Sequence, residues 1–142
     1  MNPIEESTLL QLDFNKLVNN TQEVIPVAVQ DVHTGEVLLI AYTNEEAMKE
    51  AIRLRKLVLW STSRQALWQK GASESGNGFR LLEVYVNCEQ NSLVYLVEPE
   101  QGGICHTKDE QGNCRRSCYY RRLNFETGAL EFPVPHAWPA AG

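Results

Sequence analysis

The stretch Glu83-Val84-Tyr85-Val86-Asn87-Cys88-Glu89 is an alternating segment that turns and runs on through Leu93-Val94-Tyr95-Leu96-Val97. A period of two marks a strand, and the polar run between the two segments predicts a hairpin around Asn87 to Asn91. Cys105-His106-Thr107 and Cys114-Arg115-Arg116-Ser117-Cys118 follow. All four cysteines, and the arginine pairs Arg115-Arg116 and Arg121-Arg122, therefore fall between Glu83 and Arg122. This concentration predicts a thiolate metal site beside a pocket for a phosphorylated ligand.

Upstream, Val24 to Gln30 is strand-like, with Pro26 near its start, where a missing N–H is tolerated. Asp31-Val32-His33-Thr34-Gly35 is a turn in which Gly35 takes the positive φ, and His33 is a solvated turn residue. Glu36 to Tyr42 returns as a strand whose nearly continuous apolar character predicts burial on both faces. Ala47, Met48, Ala51 and Ile52 recur at helical spacing, with Met48 in the core. Thr43 with Glu46, or Asn44 alone, caps that helix. Leu57 to Ser61 is a third strand. Thr62 to Gly71 reads as a helical turn stopped by its glycine, and Ala72 to Gly78 as a loop of small residues.

The flanks are plainer. Leu12 to Leu17 is a short turn or helical segment at the edge of the core. Leu123 to Phe132 suggests a terminal hairpin, and Pro133, Pro135 and Pro139 make 133–142 an irregular tail. With no repeat and no linker, residues 1–142 read as one domain, with a core over about 12–122.

At 142 residues, 43% hydrophobic and 22% charged, the composition is that of a globular protein. No apolar run reaches the roughly 18 residues of a membrane span. Met1 to Leu10 lacks the basic start of a secretory signal, so a cytoplasmic protein is expected. A net charge of −5 argues against a nucleic-acid binder but not against a small anion held by a local basic cluster. In a cytoplasmic chain four cysteines point away from disulfides.

Cys88, Cys105 and Cys118 are widely spaced, so the fold must assemble any site they form. Three thiolates would leave a fourth zinc position open to water, whereas Cys114 as a fourth ligand would close the site. His106 is a candidate ligand or proton carrier. Arg64, Lys70, Arg115, Arg116, Arg121 and Arg122 are candidate phosphate contacts, because a guanidinium presents planar donors to phosphate oxygens. The loop with Ser75, Gly76 and Asn77 can turn backbone N–H groups toward an anion.

Taken together, Pro26 to Asp31, Thr34 to Leu38, Ala41 to Ala47, Trp60-Ser61-Thr62-Ser63-Arg64, Leu67-Trp68-Gln69-Lys70-Gly71, Glu74 to Asn77, Asn87-Cys88-Glu89, Cys105-His106-Thr107 and Arg115 to Tyr119 resemble the phosphoribosyl-AMP cyclohydrolase family. The resemblance covers about residues 12–122. It implies a small, mostly β, α+β fold that forms an intertwined homodimer. It implies zinc on Cys88, Cys105 and Cys118, drawn from both subunits, with His106 in proton transfer. The implied reaction is hydrolytic opening of a purine ring between N1 and C6, in histidine biosynthesis. The substrate would be a small phosphorylated purine nucleotide. The candidate substrate-binding set is Ser63, Arg64, Trp68, Lys70, Ser75, Gly76, Asn77, Arg115 and Arg116.

The departures are specific. The family writes Asp-Cys-Asp-x-Asp, with aspartates that hold magnesium, where this chain has Asn87-Cys88-Glu89-Gln90-Asn91. Glu89 is left as the candidate residual magnesium ligand. Ser61-Thr62-Ser63-Arg64 stands for Ser-Arg-Ser-Arg, which removes one cation. The 71–77 loop is stretched, with Glu74 where threonine is expected. The segment between His106 and Cys118 is longer than usual and contains Cys114. These changes keep two alternatives open: a zinc hydrolase or deaminase acting on another purine-like nucleotide, and a zinc-stabilised nucleotide-binding protein without turnover.

Overall fold

The structure, a computed structural model, describes residues 3–10, 23–69, 78–100 and 104–133. They fall into two compact units, 23–118 and 3–10 with 119–133.

The larger unit is a six-stranded sheet with one helix. Its strands are β1 (Ile25–Asp31), β2 (Val37–Thr43), β3 (Val58–Ser61), β4 (Ala66–Gln69), β5 (Phe79–Val86) and β6 (Leu93–Pro99), in the order β4-β3-β2-β1-β6-β5. All neighbours are antiparallel except β1 and β6, which run parallel with Val27 against Leu93 and Val29 against Tyr95. Backbone bonds from Leu57 to the Phe79 carbonyl and from Leu81 to the Arg55 carbonyl, both 3.0 Å, tie β5 to the chain entering β3. The sheet therefore curls, and its inner face holds Val27, Val29, Leu59, Phe79, Leu81, Tyr95 and Val97, all buried. Each such side chain contributes roughly 1.5–3 kcal/mol through removal from water.

The β1–β2 hairpin forms as expected. Asp31 Oδ1 accepts from the backbone of His33 at 2.8 Å, and Gly35 has φ 75°. Helix α2 (Glu45–Leu54) is capped by Asn44, whose side chain accepts from Ala47 N at 2.8 Å, so Asn44 rather than Thr43 starts it. Arg55 ends it in the left-handed conformation, φ 56°. Ala47 and Ala51 are buried and Met48 packs partly against the core, whereas Ile52 is exposed.

Two expectations fail. Residues 66–69 are a strand, not part of a helical turn: Leu59 pairs with Trp68 and Trp60 with Leu67. The four-residue connection closes on Gln65 at φ 51°, a position that glycine or asparagine would have flagged. Nor is β2 buried on both faces. Ile40 is 54% exposed, in a cross-strand row with Ala28, Val94 and Tyr85, and Tyr85 is also 54% exposed. Pro26, Tyr42, Trp60 and Leu67 share that outer face by register and alternation.

The smaller unit holds α1 (Pro3–Glu6) and the expected terminal hairpin, β7 (Arg122–Leu123) with β8 (Leu130–Glu131). Tyr120 donates its hydroxyl to the Glu5 carbonyl at 2.6 Å, and Leu130 N donates to the Thr8 carbonyl at 2.7 Å. The expected segment Leu12 to Leu17 and most of the tail, 134–142, lie outside the described residues.

Candidate functional site

The β1–β2 register skips Leu38: Val29 faces Leu39 and Gln30 faces Val37. Leu38 is thus the extra residue of a β-bulge, and its backbone is released from the ladder. The released carbonyl accepts from Cys118 N at 2.9 Å. Next to it, the fully buried Ser117 donates its hydroxyl to the Val37 carbonyl at 2.9 Å. A defect in the strand therefore anchors the 115–118 segment.

Cys105 is laid against the same segment. Its N–H donates to the Arg115 carbonyl at 3.0 Å, and Arg115 N–H donates to the Thr107 carbonyl at 3.1 Å. Thr107 is buried, and its Oγ1 lies 3.0 Å from Cys105 Sγ. Arg115 Nη1 donates to that same Oγ1 at 3.1 Å, which leaves the hydroxyl proton to point at the sulfur. Thr107 N–H also reaches the sulfur, at 3.5 Å. A hydrogen bond from Cys118, then those from Thr107, then the charge of His106, hold the Cys105 thiol down to about 5 against the opposing effect of burial. Cys105 is accordingly a thiolate at neutral pH, paired with the half-buried Cys118 and next to the exposed His106.

Such a pair of soft sulfur donors, one already ionised, suits zinc and other thiophilic metals. Among the described residues, no three of His, Cys, Asp and Glu gather at one point in a single chain. Cys88 is exposed in the β5–β6 turn, beside the start of β1, whereas Cys118 is anchored beside the start of β2 at the other end of that antiparallel pair. Cys114 belongs to the 107–115 excursion, where it bridges to Lys108 and its sulfur accepts from Lys108 Nζ at 3.5 Å.

The expected phosphate contacts have diverse surroundings. Arg116 reaches Glu36 at 2.9 Å and Asp31 at 3.9 Å, and both carboxylates are buried. It thereby ties the cysteine segment to the β1–β2 turn. Arg64 is exposed and its backbone N–H reaches Ser61 Oγ at 3.2 Å, with Ser63 exposed alongside. Trp68 packs partly against the core. Arg121 donates to the Ser7 carbonyl at 2.8 Å and Arg122 pairs with Glu131 at 2.8 Å, both within the smaller unit. Lys70, Ser75, Gly76 and Asn77 lie outside the described residues. A cleft of about 420 Å³ near the N-terminus of α2 is lined by Glu23, Glu45 and Glu46 with Trp60, an acidic wall unsuited to phosphate.

In the Asn87–Asn91 turn, Asn87 Oδ1 accepts from the backbone of Asn91 at 2.8 Å and of Ser92 at 2.9 Å. Asn87 Nδ2 donates to Asn91 Oδ1 at 2.6 Å. Glu89 is exposed, with Oε2 at 3.5 Å from Asn91 Nδ2.

The roles of Glu36, Asp31 and Ser117 escaped the sequence reading. The only cue was their polar character inside otherwise buried surroundings, and burial is not visible in a single sequence.

The sequence model for phosphoribosyl-AMP cyclohydrolase matches residues 39–120. The phosphoribosyl-AMP cyclohydrolase of Archaeoglobus fulgidus is 48% identical over 100 residues, 70% of this chain and 85% of that one. That of Nitrosopumilus maritimus is 39% identical over 118 residues, covering 83% and 98%. The histidine biosynthesis bifunctional protein HisIE of Thermus thermophilus is 41% identical over 112 residues, 79% of this chain. The match spans only 49% of that longer protein.

Proposed function

The chain belongs to the phosphoribosyl-AMP cyclohydrolase family, and we propose that it opens the adenine ring of phosphoribosyl-AMP by hydrolysis between N1 and C6. The site is built by Cys105 and Cys118 of one protomer with Cys88 of a second copy, and it holds zinc. The observation that carries this reading is that Cys105, its sulfur 3.0 Å from Thr107 Oγ1 and its N–H on the Arg115 carbonyl, is laid against the segment that holds Cys118 on the β2 bulge.

Zinc, when bound, supplies a Lewis acid that makes a coordinated water acidic near neutral pH. The protein prepares the rest. The lowered pKa of Cys105 reduces the share of the metal-binding free energy that goes into removing its proton. Thr107 and Arg115 fix the direction of its sulfur, and Leu38 and Ser117 fix the backbone that carries Cys118. Water adds at C6, the C6–N1 bond breaks with its electrons passing to N1, and N1 takes up a proton. The exocyclic amine stays on the former C6, which becomes a carboxamide. His106, exposed and next to Cys105, is placed to take the proton from water and return it to N1. Arg64, exposed at the β3–β4 turn with its Nε 3.4 Å from Ser61 Oγ, is a candidate phosphate contact.

Two features support the second copy. The outer row Ile40, Ala28, Val94 and Tyr85 offers water an apolar face of the kind that subunit association covers. Cys88 is exposed at a distance from the thiol pair of its own chain, so a symmetric partner can bring it to that pair while receiving the same in return.

The test follows ring opening of phosphoribosyl-AMP by ultraviolet absorbance with zinc-loaded protein. Turnover is expected, and His106→Ala should lower kcat about 10²- to 10⁴-fold, as loss of a general acid–base does. Absence of turnover above a metal-only control, with nucleotide still bound, would replace this reading with that of a binding protein.

A further inference from the structure

We infer that the 87–91 turn of this chain has exchanged a divalent-cation site for a hydrogen-bonded clasp, and that Cys88 is held in place without magnesium. The amide orientation follows from the backbone. Asn87 Oδ1 accepts two main-chain N–H groups, from Asn91 at 2.8 Å and Ser92 at 2.9 Å, so the opposite end of the amide must be its nitrogen. That nitrogen faces Asn91 Oδ1 at 2.6 Å and donates to it. Both lone pairs of Asn87 Oδ1 are thereby used, and Asn91 Oδ1 already accepts a bond. Asn87 Oδ1 thus has no lone pair left for a cation, and Asn91 Oδ1 has one at most.

The same geometry explains why a carboxylate version would need a cation. With aspartate at 87 and 91, two anionic oxygens would face each other across the gap that Asn87 Nδ2 now bridges. Like charges at that separation repel unless a metal ion or a proton lies between them. The amide pair supplies the missing positive partner as an N–H dipole. Magnesium requires a nearly octahedral set of hard oxygens and sheds its water reluctantly. The turn retains only the exposed Glu89, with one oxygen 3.5 Å from Asn91 Nδ2. A single exposed carboxylate does not make such a site.

The clasp also spans Cys88. Asn87 N donates to the Ser92 carbonyl at 3.2 Å and Gln90 N to the Asn87 carbonyl at 3.0 Å, which closes the turn under the cysteine. The inference concerns this loop alone and does not depend on turnover.

Its test is magnesium chloride titrated into the full-length, zinc-loaded protein, read by calorimetry and by thermal unfolding. The wild-type chain should give no saturable heat up to about 10 mM magnesium, far above the range in which a dedicated oxygen site fills, and no rise in Tm. The Asn87→Asp, Asn91→Asp double variant should be less stable without magnesium and should regain about 4 °C or more in Tm when it is added. Saturable binding to wild type below about 1 mM that disappears in Glu89→Gln would overturn the inference. A zinc-loaded double variant as stable as wild type in magnesium-free buffer would overturn it as well. If the double variant does not fold, the wild-type titration and its Glu89→Gln control still decide the matter.

Discussion

Cys118 donates its backbone N–H to the carbonyl oxygen of Leu38 at 2.9 Å, and Leu38 is the residue of β2 that the β1 ladder skips. A bulge usually leaves backbone groups for water or a neighbouring segment to satisfy. Here the neighbouring segment carries a candidate metal ligand. The position of the thiol pair thus follows from a register shift within the sheet, transmitted through Ser117 and Cys118.

Ser117→Ala should destabilise the protein by about 1–2 kcal/mol, since it removes the buried hydroxyl that donates to the part-buried Val37 carbonyl. Urea unfolding should show a lower midpoint at unchanged slope. Zinc should also be lost to a chelator faster, because Cys118 adjoins the released segment. An unchanged midpoint would mean that the Cys118–Leu38 bond and the Arg116 ion pairs hold the segment without the Ser117 hydroxyl.

Arg116 and Arg64 should separate stability from binding. Arg116→Gln leaves Glu36 and Asp31 buried without their guanidinium. Loss of a partner to buried charge costs several kcal/mol, but the Arg116 side chain is 58% exposed, so about 1–2 kcal/mol is expected here. Arg64→Gln should leave unfolding unaltered and raise KM for the nucleotide about tenfold, as loss of a charge-assisted hydrogen bond does. Higher KM with unchanged stability in Arg116→Gln would reverse these assignments.

The lowered Cys105 pKa gives the metal-free protein a defined pH dependence. A thiol ionised in the native state and protonated in the unfolded state stabilises the fold above the unfolded value, roughly 8.5. That stabilisation declines as pH falls and is gone once pH has dropped through about 5. Unfolding free energies of wild type and Cys105→Ser should therefore converge between the mildly alkaline range and about pH 5. A gap that stays constant or widens toward acid would contradict the thiolate assignment.

Much of the architecture was legible because it is local. Gly35 in its turn, Asn44 before an amphipathic run, and the two strands around Asn87–Asn91 are encoded within a few residues of one another. The β4 strand was not, since Gln65 takes a left-handed conformation without a residue type that announces it. The parallel pairing of β1 with β6 joins segments more distant in sequence, and no periodicity specifies it. The same division runs through the site. Cys105, His106 and Cys118 could be named from residue type and motif, but spacing could not say that Cys88 sits apart from them. The carboxylates under Arg116 were hidden for another reason: in the sequence Asp31 and Glu36 look like ordinary hairpin residues, and only their burial makes a charged partner necessary.

If one active site draws Cys105 and Cys118 from one chain and Cys88 from another, mixing two defective chains restores activity. Cys88→Ser and Cys105→Ser proteins, each pure and zinc-supplied, should be nearly inactive on phosphoribosyl-AMP. Unfolded together and refolded as a mixture, they should form mixed dimers with one intact site each. Random pairing makes half of the dimers mixed, so about one quarter of wild-type activity should return, with zinc retained in proportion. Two inactive proteins whose mixture stays inactive, although mixed dimers are demonstrated by mass, would contradict the shared site.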